Sequence, residues 1–248
     1  ALKEKVKPVL FINKVDRLIA ELQVTPEDMM QRFGKIITEV NKLISRMVPD
    51  EFKKDWMVDA QTGTVAFGSA YHNWATSIPY MAKKNVNFKQ IYDFMEKEQR
   101  KELAQAAPLH EVLLDMIVEK LPSAIVSQKY RIPHIWRGKS EEKIGQSMMN
   151  ADASGDTAFM VTKVVLDPHA GEIAVGRLFS GTVKKGDLLY VAGMPSANRV
   201  QSVGMFVGGD RINTENVTAG NIIAVSGLRD AISGSTISSD KEMTPFER

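Results

Sequence analysis

The chain has no cysteine in its 248 residues, which excludes disulfides, thiolate metal sites and cysteine nucleophiles. No apolar run approaches the ~18 residues a membrane-spanning helix needs. The opening ALKEKVK is charged, and neither the apolar core nor the small-residue cleavage site of a secretory leader follows it. An excess of one charge is missing too. Lys and Arg number 32 against 30 Asp and Glu, a net +2, too little for wholesale attraction to nucleic acid. Histidine is scarce: His72, His110, His134 and His169 are the only four, and none sits in a nucleophile or metal-ligand pattern. These absences fit a cytoplasmic protein with no membrane and no DNA partner. What is present is ordinary for a globular chain, 44% hydrophobic and 25% charged, with length for one or two domains.

Two textures divide the chain. The first is α/β. Residues 9–12, Val-Leu-Phe-Ile, are apolar without alternation, the pattern of a strand buried on both faces in a parallel sheet. Thr25 and Pro26 open a helix whose apolar positions, from Met29 and Met30 through Ile36, Ile37 and Leu43 to Met47, recur at steps of three and four and predict a core-facing stripe. Residues 55–70 read as strand, turn, strand, with the turn at Gln61, Thr62 and Gly63. Helices are expected over about 88–106 and 109–120, the second buried through Leu109, Val112, Leu113, Met116 and Ile117. From Thr157 onward, short apolar runs alternate with Gly-rich turns, which predicts an antiparallel β-barrel with no convincing helix. The change of texture falls near residues 138–155. Too few strands flank residues 9–12 for a whole sheet, so the α/β part is expected to be incomplete.

The chemistry concentrates at strand ends, where open α/β sheets bind ligands. Asn13, Lys14 and Asp16 follow the first apolar run, and Ser69, Ala70 and Tyr71 follow the strand over residues 65–67. A carboxylate accepts through two oxygens. Guanine offers adjacent N1–H and N2–H donors that Asp16 can match together, whereas adenine has no such pair and would leave the carboxylate unsatisfied. Asn13 can donate and accept, which suits a base N7 and a tether to the neighbouring loop. Lys14 can lay its aliphatic stem along a base. Backbone N–H groups at Ser69 and Ala70 are expected to meet the base carbonyl.

Asn-Lys-Val-Asp after one strand and Gly-Ser-Ala after another resemble the two guanine-specificity motifs of GTP-binding proteins. SGTVKKGDLLYV and AGNIIAVSGLRDAISGSTI resemble the barrel domain of translational GTPases. VAFGSAYHNWA, QKYRIPHIW, VVLDPHAGEIAVGRLFSGTV and MTPFER together resemble the elongation factor 2 family in its archaeal form. The resemblance implies a multi-domain fold: residues 1–145 as the C-terminal part of a P-loop-type G domain, 146–240 as an antiparallel β-barrel (domain II) of the translation-factor type, and 241–248 as the start of a linker. It implies GTP or GDP as ligand, Mg²⁺ in the parent, the ribosome (RNA and protein) as partner, and GTP hydrolysis coupled to movement of tRNA and mRNA. Asn13, Lys14, Asp16, Ser69, Ala70 and Tyr71 would then contact nucleotide, with no catalytic or metal residue in the chain.

The sequence departs from the family in one respect. No G-x-x-x-x-G-K-[S/T] phosphate loop occurs in it, so the chain resembles a middle fragment and is expected to be inactive alone. Initiation or tRNA-delivering GTPases share both domain types and stand as alternatives, as does a non-catalytic module binding RNA or protein. Asp55 and Asp59 read as turn polarity rather than a catalytic pair, and Gly208, Gly209 and Asp210 as a hairpin turn. Arg177, Lys184, Lys185 and Arg199 on the barrel are candidates for RNA phosphates, although Lys184 and Lys185 also suit a tight turn.

Overall fold

The structure, a computed structural model, describes residues 1–84, 86–168 and 170–247. His169 and Arg248, both part of the sequence reading above, lie outside them. The chain forms two compact units, Ala1–Leu121 and Pro122–Arg248.

The first unit is built on three strands in the order β1 (Leu10–Ile12), β2 (Val65–Ser69), β3 (Trp74–Thr76). β1 runs parallel to β2, with Leu10 opposite Val65 and Ile12 opposite Phe67, and β3 returns antiparallel. Every residue of β2 is buried, whereas in β1 only Ile12 is. Among the described residues the apolar run 9–12 pairs on one side, with β2, and Val9 and Phe11 pack half-buried against Ala66, Tyr80, Val112 and Met116. The centre belongs to β2.

Among the described residues seven α-helices surround the sheet: α1 (Val15–Ala20), α2 (Pro26–Met47), α3 (Asp50–Trp56), α4 (Ile78–Lys84), α5 (Phe88–Glu96), α6 (Arg100–Ala106) and α7 (Leu109–Lys120). α2 starts as its sequence dictates: the Thr25 hydroxyl accepts the Asp28 N–H at 3.2 Å and Pro26 occupies the first turn. Its stripe is only half used. Met29, Phe33 and Ile44 are buried, Phe33 stacking on Phe67 of β2 at 4.7 Å, but Met30, Ile36, Leu43 and Met47 are exposed. The expectation of one wholly core-facing stripe is corrected: β2 and its neighbours cover a single flank of the helix. α7 shows the same limit, with Val112 and Met116 buried and Ile117 exposed.

Two further expectations give way to local hydrogen bonding. The strand predicted before Gln61 does not form. Trp56 ends α3, and the backbone of Val58 is satisfied by one side chain instead: Asn41 Oδ1 accepts its N–H at 2.8 Å and Asn41 Nδ2 donates to its carbonyl at 2.9 Å. Asp59 N–H then goes to the Thr64 hydroxyl at 2.7 Å. With those groups taken, no ladder is available. The helix predicted over 88–106 is two, because Glu98 adopts a left-handed φ of 55° between α5 and α6. Asn87 and Gln90 close a reciprocal capping box at the start of α5.

Among its described residues the second unit contains α8 (Ala124–Ile135), α9 (Lys143–Met149) and ten strands: β4 (Ala158–Asp167), β5 (Gly171–Ser180), β6 (Thr182–Lys184), β7 (Leu188–Val191), β8 (Ala197–Arg199), β9 (Ser202–Val207), β10 (Asp210–Thr214), β11 (Asn216–Thr218), β12 (Ile222–Ser226) and β13 (Thr236–Ser238). Eight form one antiparallel, barrel-like sheet in the order β10-β9-β12-β5-β4-β13-β7-β8, and β11 pairs with β6. Phe159, Leu178, Leu189, Val203, Ile223 and Ile237 fill its interior. Gly208 and Gly209 make the tight turn from β9 to β10, with Val207 opposite Asp210. Gly176 allows close strand approach, since a Cβ there would lie 1.9 Å from the Met160 carbonyl oxygen.

The unit begins well before residue 146. Ile132 and Trp136, at the end of α8, and Met148 of α9 form a second cluster with Phe179, Met243 and Phe246. Residues 122–145 and 241–247 thus pack with the barrel strands, and the compact unit starts at Pro122. Neither helix was expected from the sequence, where Pro133 inside α8 argues against one.

Candidate guanine-reading cleft

The cleft lies where β1 and β2 end. Lys14 takes a left-handed conformation, φ 65°, and turns the chain from β1 into α1. Val15 and Ile19 anchor α1 in the core, which fixes Asp16 in its first turn. Asn13 Oδ1 accepts two backbone N–H groups, that of Lys14 at 2.8 Å and that of Ala70 at 3.0 Å. The second bond ties the loop after β2 to the end of β1 across 57 residues. Of the two N–H groups expected to meet a base carbonyl, Ala70's is engaged by Asn13.

Asp16 is largely enclosed. Its side chain is 13% exposed, and Oδ2 lies 3.6 Å from Nε2 of His72, itself 17% exposed. Its other oxygen, Oδ1, is buried without a hydrogen-bond partner. A carboxylate oxygen in that state costs stability unless donors reach it. Ser69 is buried at the end of β2, and its hydroxyl accepts the His72 N–H at 3.2 Å. Tyr71 stands 86% exposed with its ring edge-on to His72, centroids 4.8 Å apart.

These groups share one cleft of about 530 Å³, whose lining includes Asn13, Lys14, Asp16, Ser69, Tyr71 and His72 together with Met95 of α5 and Arg100 of α6. That volume is within the ~300–1,000 Å³ of small-molecule sites. Ala70 joins it through the Asn13 tether rather than as a wall. Sequence reasoning missed Met95 and Arg100, which tertiary packing alone brings to the cleft. His72 was near enough in sequence to suspect, and its ring contact with Asp16 is what the chain order did not reveal.

The remaining candidates have structural partners. Asp55 accepts the Lys7 ammonium at 2.8 Å, and Asp59 Oδ1 caps the turn at the Gln61 N–H, 2.7 Å. Lys184 and Lys185 are exposed, in a turn closed by Asp187, whose Oδ2 accepts the Lys184 N–H at 2.9 Å. Among the described residues no cluster of three or more acidic or histidine side chains is placed to hold a metal ion, and no helix is long and apolar enough to cross a membrane.

Comparison with known proteins matches both units. The family model for the elongation factor Tu GTP binding domain covers residues 1–123, and that for elongation factor Tu domain 2 covers residues 171–238. Elongation factor 2 of Picrophilus torridus is 56% identical over 247 residues, 100% of this chain and 34% of that protein. The Methanococcus maripaludis protein of the same name is 56% identical over 243 residues, 98% of the chain and 33% of its own length. That of Pyrococcus furiosus is 54% identical over 247 residues, again 100% and 34%. The chain therefore spans about a third of the length of the curated relatives it matches.

Proposed function

The chain belongs to the elongation factor 2 family of GTP-binding translation factors, and on that premise we propose that its cleft reads the guanine base of GTP and GDP. One observation carries the reading: Asp16, in the first turn of the helix that follows β1, presents a buried, partnerless Oδ1. Guanine N1–H and N2–H supply the two donors that this carboxylate lacks. Asn13 holds the loop carrying Ser69 and Ala70 at the fixed distance a base plane needs, Lys14 covers one face with its stem, and Tyr71 stands free to cover the rim. His72 orients Asp16 through Oδ2.

The parent protein is a ribosomal translocation factor of the cytoplasm, in which GTP hydrolysis drives movement of tRNA and mRNA. Residues 1–145 serve as the G-domain portion, 146–240 as the barrel domain and 241–248 as the connection beyond it, with 122–145 packing with the barrel. The phosphates and Mg²⁺ call for a loop motif that these 248 residues do not contain. Backbone N–H donors, a lysine and the metal provide most stabilisation of a phosphoryl transition state. The 248-residue chain alone is therefore expected to show weak nucleotide binding and no Mg²⁺-dependent GTP turnover, measured as phosphate release. Stoichiometric turnover would overturn this division of labour.

Base reading is tested by Asp16→Asn in the whole elongation factor. An amide opposes an N–H donor to the guanine N1–H, so GDP affinity is expected to fall by ~100-fold or more. Affinity for xanthosine diphosphate, whose position 2 carries an oxygen, should rise. Unchanged selectivity between the two nucleotides would refute the assignment of Asp16.

A further inference from the structure

The turn from β2 to β3 carries a second ionisable group into the cleft. His72 is held there by its backbone, whose N–H goes to the Ser69 hydroxyl at 3.2 Å. Beside it Asn73 takes a left-handed φ of 56°, and the Asn73 N–H reaches the Ala70 carbonyl at 3.4 Å. The imidazole meets the Tyr71 ring edge-on and stops short of Asp16. Nε2 stands 3.6 Å from Oδ2, with both side chains largely enclosed, and that separation is longer than a hydrogen bond. The contact is therefore electrostatic, and it depends on the charge of the ring.

The other charges of the cleft leave Asp16 as the acid that His72 meets. From α1 come Asp16, Arg17 and Glu21, the last two paired with each other at 3.6 Å. The turn before α1 supplies Lys14 and α6 supplies Arg100, both cations, while α5 supplies Met95, which does not titrate. A histidine changes charge between about pH 5 and 8. Neutral, the ring leaves the Asp16 carboxylate its full charge, with Oδ1 open to the guanine donors. Protonated, it draws the same carboxylate into an ion pair. Imidazolium and guanine then compete for one acceptor that has to offer both oxygens to N1–H and N2–H. Proton and nucleotide are coupled reciprocally, so guanine binding favours loss of the proton and the neutral ring favours guanine.

We propose that His72 is a positioning residue through which a proton controls base reading, its protonation weakening the hold of Asp16 on guanine. His72 acts on the base only through Asp16, so this role rests on the guanine reading of that carboxylate. Affinity for guanine nucleotides rises with pH as His72 loses its proton, by the linkage of a single proton.

The test is calorimetric titration of the whole elongation factor with GDP at about pH 5.5 and about pH 8, either side of histidine titration. The nucleotide's own phosphate titrates in that interval, so each protein is read as the ratio of its dissociation constants at the lower and the higher pH. That ratio in the unsubstituted factor should exceed the ratio in His72→Gln by ~5-fold or more, because glutamine keeps a neutral N–H donor and takes up no proton. His72→Phe, which keeps a ring beside Tyr71, should show the same lowered ratio. So should Asp16→Asn, whose amide gives an imidazolium no charge to pair with. A purely structural role would weaken binding equally at both pH values and leave the ratio alone. A ratio in the unsubstituted factor no higher than in both His72 variants, with GDP affinity still lost in Asp16→Asn, overturns the role of His72 and leaves the base reading standing. Full GDP affinity in Asp16→Asn overturns both.

Discussion

At the scale of the residue, single side chains act by what they leave unsatisfied. Asp16 sets one oxygen 3.6 Å from His72 Nε2 and leaves the other buried without a partner, the feature on which the proposed reading of a guanine base depends. Tyr80 shows the opposite situation, a polar group fully occupied. Burial, then a hydrogen bond to Glu111 Oε2 at 3.1 Å and the nearby carboxylate charges, push its phenol up to about 12. The folded value lies above the unfolded one of ~10. The neutral phenol therefore stabilises the fold fully below pH ~10, and that contribution is lost as pH rises from ~10 towards about 12. In a spectrophotometric titration of the five tyrosines, one phenolate should appear late, and Tyr80→Phe should remove that phase. A titration whose late phase survives the substitution would show that another tyrosine is responsible.

At the scale of the element, agreement between sequence and structure was greatest where local rules act alone. The Thr25 cap, the Pro26 start, the β9–β10 turn and the tight turn at Lys184 to Asp187 are decided within four residues, and all are present. Elements decided at a distance were misread. Residues 57–59 have a strand-like composition, yet Asn41, 17 positions away, supplies both hydrogen bonds a strand partner would have given to Val58. Asn41→Ala removes a part-buried donor and acceptor together. We expect a loss of ~1–3 kcal/mol in denaturant unfolding, with faster amide exchange at Val58. Unchanged exchange there would mean that the clamp does not hold this segment. The same logic explains α8, where packing of Ile132 and Trp136 overrides Pro133.

At the scale of the whole molecule, the two textures of the sequence correspond to two compact units, but the seam is earlier than composition suggested. Composition changes near residue 145 because helices give way to strands. Packing changes at Leu121 because α8 and α9 bury their apolar residues on barrel residues such as Phe179. A polypeptide of residues 122–248 should therefore unfold cooperatively, whereas one of residues 146–248 loses Ile132 and Trp136 and exposes Phe179 and Phe246. Loss of two large buried side chains corresponds to ~4–8 kcal/mol at ~2–4 kcal/mol each, enough to abolish a sharp thermal transition in the shorter piece. Equal melting temperatures for the two pieces would place the seam at 145 after all.

The sequence by itself determined the class of each half, the Asn-Lys-Val-Asp motif proposed to read a base, and the turns, because strand-end chemistry and turn geometry depend on neighbours along the chain. It also carried the absence of a phosphate loop, which needs no structure to read. Only the tertiary structure decided which apolar faces are covered, that Asn41 clamps Val58, and that His72 meets Asp16. Those are contacts between residues far apart in the chain, selected by competition among many possible partners for the same buried surface and hydrogen bonds, and a one-dimensional pattern does not record who wins.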